Sequence, residues 1–453
     1  MKRTCNRIRT ALVERHRARH RRDRESGVAL LMTIASLTLL IALVTEFTYD
    51  TTIQLAQAAN ARDEVRAHYM ARSAVNLSRM LIKVQTRFID PIMGNAQKML
   101  GNSLGPGMGL SLRITDYAGP IMSFFGGSKE EAAGLGGLIG IDVTQAKGLG
   151  SAHGTLDAEI STEDGKIDLN CGSGMSWNAQ SQAILYQQLL GLMYSPRYNP
   201  LFEFPNAQGQ IVERTEVATA LIDWADGDEQ RFSPLGSSGS EDYRYNAGRD
   251  PYRSHDNSYD TVEEAAQVYG MSADLVEAFM PYLTVYANSD GSRQCKVNLR
   301  SIKGDCTPLL VGLIRAAMLS DPTKPPSDPS VLDDRMIYPL ASILCERGSV
   351  LGFDSLETIV SVLSNPAGSI SREDPRYQMM QQLRGINVSK EDLAKVAYVG
   401  TPRVYRIVAK GEVGKVKKKI TAILDTSRDL FNPVTQNVMA ERAAGVFQYW
   451  REE

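Results

Sequence analysis

The stretch ESGVALLMTIASLTLLIALVT, residues 25–45, ends a basic segment at Gly27 and continues for 18 residues without a charge, from Val28 to Thr45. At about 1.5 Å per residue, a helix of that length spans roughly 27 Å, enough to cross the hydrocarbon core of a bilayer. Neither glycine nor proline occurs in the 63 residues from Val28 to Asp90. Because glycine and proline are the strongest helix breakers, this run predicts one continuous helix, apolar in its first half and polar in its second.

Basic residues are concentrated at the start of the chain. The 453 residues have a net charge of -2, yet the first 27 contain ten Lys or Arg and three Asp or Glu, a balance of +7 that leaves -9 for the rest. Positive charge before an apolar helix stays in the cytoplasm, so the sequence predicts a single membrane pass with an exported C-terminal part. A basic tail could also bind nucleic acid. Here it leads into an apolar helix rather than a folded reader, so no nucleic-acid partner is expected.

The cysteines fit an exported protein. The chain has five, at Cys5, Cys171, Cys295, Cys306 and Cys345. Removal of the basic leader would take Cys5 away and leave four, an even number that suits an oxidising compartment and allows three pairings. Cys295 and Cys306 flank a short loop and form the predicted disulfide, with separately buried thiols as the alternative. No CxxC spacing typical of a metal site occurs.

Composition divides the chain into five segments. Fifteen of the 37 glycines lie between Gly94 and Gly154, which is typical of a flexible connector rather than a phosphate-binding loop. A strand is predicted inside this connector at LSLRIT, residues 110–115. The predicted segments are a cleaved leader (1–27), a transmembrane and stalk helix (28–90), a connector with the first strands (91–170), a helical insertion with an acidic loop (171–398) and C-terminal strands (399–453).

The stalk half of the helix is amphipathic and needs a partner surface. Its apolar spacing is too irregular for a free-standing coiled coil, so a sheet of the same protein is the predicted partner. The apolar positions are Phe47, Ile53, Val65, Tyr69, Leu77, Leu81 and Val84.

Alternating apolar residues predict an antiparallel sheet built from both ends of the exported part. Residues 155–170 are predicted to form strand, turn and strand around Asp164-Gly165, and residues 403–426 a hairpin. Residues 443–450 (AAGVFQYW) predict another edge strand. Seven helical segments from Trp177 to Tyr398 separate the two groups of strands. The predicted fold class is therefore α+β, with a long N-terminal membrane helix, an antiparallel sheet and a large all-α insertion.

Several short runs, taken in order, resemble one family. They are ALIDWADGDE (220–229), SEDYRYNAGRDPYR (240–253), TVEEAAQVYGMS (261–272), CKVNLRS (295–301) and the terminal FQYWRE (447–452). With the basic leader, Gly27 and the apolar helix, they resemble general secretion pathway protein K, a type IV pilin-like minor pseudopilin of type II secretion systems. The resemblance covers roughly residues 150–310 and both ends. It implies a pilin-like sheet and a tip and assembly-initiating role in the periplasmic pseudopilus.

The resemblance also implies processing, location and partners. An aspartic prepilin peptidase would cut after Gly27, and the new N-terminal Val28 would be methylated. The fifth residue of such mature chains is usually Glu, whereas this chain has Met32. The implied location is the inner membrane, with the N-terminus cytoplasmic and the C-terminal domain periplasmic. Implied partners are the I and J minor pseudopilins, the major pseudopilin, the prepilin peptidase and the inner-membrane secretion platform. An uncleaved signal anchor remains the alternative to cleavage; no small-x-small site follows the apolar run, as a Sec-type signal would require.

The loop from Asp223 to Asp260 is rich in acidic residues. From the residues alone, a calcium site and a solvated loop are both open, since calcium takes six to eight oxygens and no EF-hand register follows Asp226-Gly227-Asp228. Some members of the resembled family bind calcium. The expected ligands are Asp226, Asp228, Glu241 and Asp242.

No enzyme is expected from this sequence. The five histidines are scattered, and neither GxSxG nor HExxH occurs. Two other functions remain alternatives, namely a minor pilin of a type IV pilus and a membrane-anchored exported hydrolase that uses a metal at Asp226 and Asp228.

Overall fold

The computed structural model describes residues 2–100, 113–126, 154–173, 179–206, 209–234, 239–246, 251–287, 295–319, 325–353, 355–369, 372–373, 375, 377–427 and 445–453. They form two compact units, residues 1–67 with 413–416 and residues 68–412 with 417–453. Most of the predicted Gly-rich connector lies outside the described residues. So do Trp177, at the start of the first predicted helix of the insertion, and Arg249 and Asp250 of the acidic loop.

The helices and strands of the described residues follow the chain in this order. The helices are α1 (Lys2–Val84), α2 (Asp90–Leu100), α3 (Ala118–Gly126), α4 (Ala179–Met193), α5 (Asn199–Glu203), α6 (Arg214–Asp223), α7 (Ala273–Phe279), α8 (Thr307–Leu319), α9 (Asp334–Leu351), α10 (Leu356–Ser364), α11 (Tyr377–Gln382) and α12 (Lys390–Val396). The strands are β1 (Thr155–Thr162), β2 (Ile167–Asp168), β3 (Leu283–Thr284), β4 (Val297–Asn298), β5 (Ala397–Tyr398), β6 (Val404–Val413), β7 (Val416–Asp425) and β8 (Val446–Glu452).

The first unit consists mainly of helix α1. The long predicted helix is confirmed, and it begins earlier than expected, so that the basic leader is helical as well. Every residue from Gly27 to Ala58 is exposed, including the leucines of the charge-free segment. Within the described residues, one helix, Gly27–Asn95, is long and apolar enough to cross a membrane. This is consistent with a single membrane anchor.

The second unit contains a four-stranded sheet in the order β1-β6-β7-β8. Strand β1 pairs antiparallel with β6, with Ile160 opposite Ile407, and β7 pairs antiparallel with β8. The predicted hairpin of residues 403–426 and the predicted C-terminal edge strand are therefore confirmed. The predicted strand, turn and strand at 155–170 is confirmed as β1, a turn at Asp164-Gly165 and β2, although β2 has only two residues. Strand β2 lies outside the four-stranded sheet and pairs parallel with β3 of the helical region, the predicted insertion of residues 171–398.

The last turns of α1 pack on one face of this sheet. Small side chains, Ala71 and Ala74, lie at the contact beside Val75 and Ile82, which lets the helix approach the strands closely. Of the predicted apolar stripe, Leu81 is buried, but Tyr69 is 60% exposed. Leu77 of the stripe packs against the same core, so the C-terminal part of the predicted stripe contacts the sheet, whereas Ala71 and Ala74 were missed because the prediction followed large side chains. From the strands, the same core contains Leu156, Ala158, Ile160, Tyr405, Ile407, Ala409, Ile420 and Leu424.

A π-helical turn, Gln85–Ile89, separates α1 from α2. The buried Gln85 donates from Nε2 to Asp90 Oδ1 at 2.7 Å and accepts the backbone N–H of Ile114 at 2.7 Å. Gln85 thus ties the end of the stalk to the first residue of the 3₁₀ turn Ile114–Tyr117. Of the strand predicted at 110–115, residues 110–112 lie outside the described residues. The rest is not a strand, since Ile114–Tyr117 form a 3₁₀ turn that leads into α3.

The helical region is organised around α8, which is buried along most of its length. Helix α4 crosses it where two glycines meet. A Cβ atom built on Gly191 would lie 2.5 Å from the Cα of Gly312, and one built on Gly312 would lie 3.0 Å from the backbone nitrogen of Leu192. The two helix backbones therefore touch at this crossing, which only glycine permits.

Buried polar groups join the sheet to the helical region within the second unit. The side chain of Glu163 is fully buried and accepts from Arg406 Nε at 2.6 Å, Lys166 Nζ at 3.0 Å and Thr284 Oγ1 at 2.5 Å. These partners hold the pKa of Glu163 below its ordinary value against the opposing effect of burial. The backbone N–H of Glu163 donates to the carbonyl of Val404. The two chain segments that lead into and out of the helical region thus lie side by side.

Two disulfides cross-link the helical region. Cys171 is bonded to Cys295, and Cys306 to Cys345, over sequence separations of 124 and 39 residues. The predicted Cys295–Cys306 disulfide is therefore wrong. Proximity along the chain favours Cys295–Cys306, whereas the segment between these two cysteines forms strand β4 and a 3₁₀ turn, and each cysteine is bonded to a distant partner.

Candidate functional site

The acidic site begins at the C-terminal end of helix α6. This helix is buried on nearly every side, because Val217, Ala218 and Leu221 belong to the helical core. It ends at Asp223, and the following turn is closed by the backbone N–H of Asp226 donating to Ile222. Both carboxylates are therefore fixed by a rigid element rather than by a mobile loop.

Three buried carboxylates gather at this site. Asp223, Asp226 and Glu241 are each 1% exposed. Asp223 accepts the backbone N–H of Phe232 at 2.7 Å and lies 3.5 Å from the buried guanidinium of Arg244. Asp226 accepts Gln182 Nε2 at 2.8 Å through one oxygen, while its other oxygen and both oxygens of Glu241 have no hydrogen-bond partner among the described residues. Buried polar oxygens without partners are rare in proteins, and their concentration here marks an electrostatically incomplete site.

The pKa values of all three carboxyls are raised. Burial is the main cause, and mutual repulsion adds to it, because each of the three carboxylates lies near other acidic groups, including Asp228. The pKa rises to about 7 for Asp223, about 8 for Asp226 and about 9 for Glu241. Arg244 offsets part of the charge of Asp223. The site therefore favours either bound protons or an additional cation.

The structure separates the four expected calcium ligands into two pairs. Asp226 and Glu241 are buried in the carboxylate cluster. Asp228 and Asp242 are half-buried and occupied elsewhere, since Asp228 accepts the backbone N–H of Gln230 at 2.7 Å and Asp242 accepts Ser254 Oγ at 3.3 Å.

Asp223 was not among the predicted site residues. Its position indicates the site nevertheless, because it ends an apolar helical run and stands three residues before Asp226. Within the described residues, no three His, Cys, Asp or Glu side chains are arranged to hold a metal ion as they stand. Calcium binding would therefore require some carboxylates to turn.

Aromatic rings cluster around Trp224, the residue that follows Asp223. Trp224 stacks on His255 with ring centroids 6.2 Å apart and meets Tyr245 edge-on at 5.7 Å, and Tyr252 lies 5.0 Å from Tyr245. The indole N–H of Trp224 has no hydrogen-bond partner among the described residues. Trp224 and Tyr245 are themselves buried, so the residue that follows Asp223 lies among buried aromatic side chains.

The predicted processing junction lies inside α1. Gly27 and Val28 are exposed, and nothing lies within 4 Å of a Cβ atom built on Gly27. An exposed small residue before an apolar helix is accessible to a membrane peptidase, but cleavage at this bond stays a prediction.

The segment that carries the site is recognised by comparison with known proteins. A family model described as "Type II secretion system (T2SS), protein K" matches residues 204–288. No curated protein matches the chain. One similar solved chain belongs to the crystal structure of the GspK-GspI-GspJ complex from the type 2 secretion system of enterotoxigenic Escherichia coli. It has 14% sequence identity and a TM-score of 0.38, over 66% of this chain and 80% of that chain. The matched segment contains the acidic site and three of the runs that first indicated this family, so residues 204–288 are similar to type II secretion system protein K.

Proposed function

We propose that this chain is a minor pseudopilin of a type II secretion system, a non-enzymatic subunit held in the inner membrane by residues 28–45 with its C-terminal domain in the periplasm. The family match over residues 204–288 carries the proposal, and the exposed apolar helix supports it. Deletion of the gene tests it. Loss of a pseudopilin should block secretion of many unrelated proteins, whereas loss of an anchored hydrolase should not.

The proposed place of the subunit is the tip of the pseudopilus, where it would initiate assembly with the I and J minor pseudopilins. Met32 stands where related mature chains usually carry a glutamate that neutralises the N-terminal amine of an adjacent subunit. An uncompensated buried charge costs several kcal/mol, so a subunit without this acid is poorly suited to the shaft. The helical region, inserted between β1 and β6, adds bulk that should obstruct a subunit stacked above it.

Immunogold labelling of overproduced pseudopili is expected to place this subunit at one end of each fibre. The reason is that Met32 offers no carboxylate to the next subunit. Cross-linking through Ser36→Cys should give pairs with other minor subunits and no ladder of self-linked multimers. Gold particles spaced along the shaft would contradict the tip position, and labelling of the major pseudopilin in the same fibres is the positive control.

Replacing Gly27 by leucine is expected to block maturation. A peptidase that cuts beside a small residue cannot accept a branched side chain at that position, so a larger species should accumulate in the membrane. The measurement is the mass of the mature N-terminus. Ser26→Ala is the matched control and should be processed normally. If Gly27→Leu matures to the wild-type mass, cleavage after Gly27 is wrong.

Calcium binding at the acidic site is part of the proposal. Asp226 and Glu241 would supply ligand oxygens that lack a partner among the described residues, and Asp228 and Asp242 are close enough in sequence to join them by turning. Calcium prefers carboxylate and other hard oxygen ligands. A bound divalent cation would neutralise the repulsion between the buried carboxylates, and the chain itself would supply the rigid positions of α6 and the 3₁₀ turn Glu241–Arg244.

Calcium is expected to raise the thermal midpoint of the full chain in detergent relative to the same chain with a chelator. Binding only to the folded state stabilises by about 2.7 kcal/mol at roughly a hundred times the Kd. The double variant Asp226→Asn/Glu241→Gln should lose this response. Glu229→Gln, at an exposed acid of the same loop, should keep it. Equal midpoints with calcium and chelator in the wild type would rule the site out.

A further inference from the structure

The four cysteines of the exported part are paired in chain order, the first with the second and the third with the fourth. The rival pair, Cys295 with Cys306, is only 11 residues apart. In an unfolded chain, the probability that two residues meet falls with the three-halves power of their separation. Cys295 therefore meets Cys306 roughly 40-fold more often than it meets Cys171.

The same comparison applies to the second disulfide. Cys306 meets Cys345, at a separation of 39 residues, roughly 7-fold less often than it meets Cys295. Oxidation of a complete but unfolded chain would thus form the wrong short loop first. In the folded chain all four cysteines are between 1 and 6% exposed, so an oxidant cannot reach them there. The correct pairs must be selected before the fold closes.

We propose that the order in which the chain emerges selects the disulfides: Cys171 is bonded to Cys295 before Cys306 has been exported, and Cys306 then has only Cys345 as a partner. The inference rests on the proposed export of the C-terminal part. An N-terminally anchored chain delivers its cysteines to the oxidising side in sequence order. At each step, the native partner is the next free cysteine to appear.

The chemistry requires an exported dithiol–disulfide oxidant. The thiolate of Cys171 attacks the disulfide of the oxidant, forms a mixed disulfide with one of its sulfurs and releases the other as a thiolate. The thiolate of Cys295 then attacks the Cys171 sulfur, and the oxidant leaves as a dithiol. Two electrons and two protons pass from the pair of cysteines to the oxidant. The second pair, Cys306 and Cys345, consumes a second molecule of oxidant in the same way.

The test maps disulfides in the full chain, made in cells that lack a disulfide isomerase. In one arm the chain is made under normal oxidising conditions. In the other, dithiothreitol is present during synthesis and is washed out after synthesis is stopped. Free thiols are blocked with N-ethylmaleimide, and the disulfides are identified by mass spectrometry of non-reduced peptides. The first arm should give Cys171–Cys295 and Cys306–Cys345. In the second, Cys295–Cys306 should exceed Cys171–Cys295 by at least about tenfold.

The variant Cys306→Ala/Cys345→Ala is the matched control, because it removes the rival of Cys171. It should form Cys171–Cys295 in both arms, whether or not the helical region folds fully. Native pairs in both arms of the wild type would overturn the proposal, since folding rather than emergence would then select them. Cys295–Cys306 in both arms would overturn it as well. No disulfide in either arm, in wild type or control, would instead contradict the proposed export itself.

Discussion

Replacing Gly191 by alanine is expected to destabilise the chain by about 3 kcal/mol, at the upper end of the usual cost of overpacking a core. The new Cβ would lie 2.5 Å from the Cα of Gly312, and backbone cannot turn aside as a side chain can. Helices α4 and α8 must therefore move apart along the whole of their contact. Alanine's higher helix propensity offsets up to about 1 kcal/mol of this cost. Thermal unfolding of the full chain in detergent, followed by circular dichroism, measures the effect.

Gly94 provides the matched control. It lies in helix α2 with nothing within 4 Å of a Cβ position, so Gly94→Ala should raise stability by up to about 1 kcal/mol through helix propensity. Gly312→Ala tests the same contact from the other helix and should destabilise as well. The double variant should cost less than the sum, because both changes open one crossing. An unchanged midpoint for Gly191→Ala would show that the two backbones do not touch there.

The calcium-free chain is expected to lose about 3 kcal/mol of stability between pH 5 and pH 9. The pKa values of Asp223, Asp226 and Glu241 are raised to about 7, 8 and 9 in the folded chain, whereas unfolded carboxyls titrate near 4. Across this window the folded chain retains protons that the unfolded chain has lost, so stability falls as pH rises. One pKa unit corresponds to about 1.4 kcal/mol, and the three coupled shifts are not additive. Thermal midpoints measured in chelator at several pH values give the slope.

Two comparisons isolate the carboxylate cluster as the cause. Asp226→Asn/Glu241→Gln should remove most of the fall in stability with pH. The remainder comes from Asp223 and from Asp164, a buried carboxyl elsewhere in the chain whose pKa is also raised to about 7. Saturating calcium should flatten the wild-type slope, because the ion takes the place of the protons. Glu163 has a lowered pKa, so its contribution is lost only under acidic conditions, below this window. A rise in stability from pH 5 to pH 9 would contradict the assigned direction of the shifts.

Much of the fold could be predicted because it depends on local patterns. The absence of glycine and proline from Val28 to Asp90 is enough to predict a long helix. The alternation of apolar and polar residues is enough to predict β1 and the β6–β7 hairpin. The α+β fold class is confirmed. The surface of α1 that packs on the sheet could be predicted only in part: Leu77 and Leu81 belong to the predicted stripe, whereas Ala71 and Ala74 contribute through their small size. The pairing of β2 with β3 could not be predicted, because a strand of two residues carries no pattern that selects its partner.

The candidate site was predicted as a region rather than as a set of ligands. Acidic residues at 223–260 are visible in the sequence, but their burial is not. Glu241 and Asp242 are adjacent in one 3₁₀ turn, yet only Glu241 is buried, and this follows from packing against distant segments. The disulfide pairing was wrong for the same reason, since in the folded chain Cys171 lies beside Cys295, a residue 124 positions away in the sequence. The sequence shows which acidic residues and cysteines are available, and tertiary packing decides which of them lie together.

The side-by-side entry and exit of the helical region, at Glu163 and Val404, has a consequence for the modularity of the chain. An insertion whose two ends are adjacent leaves the register of the strands around it unchanged, whatever its size. The sheet is therefore a scaffold, and the helical region is an insertion at the point where a short turn would otherwise connect β1 to β6. Substitutions in the insertion, including its acidic site, then leave unchanged the surface of the sheet that packs on α1. The helical region can therefore change in size or sequence while the sheet and the end of α1 packed on it stay the same.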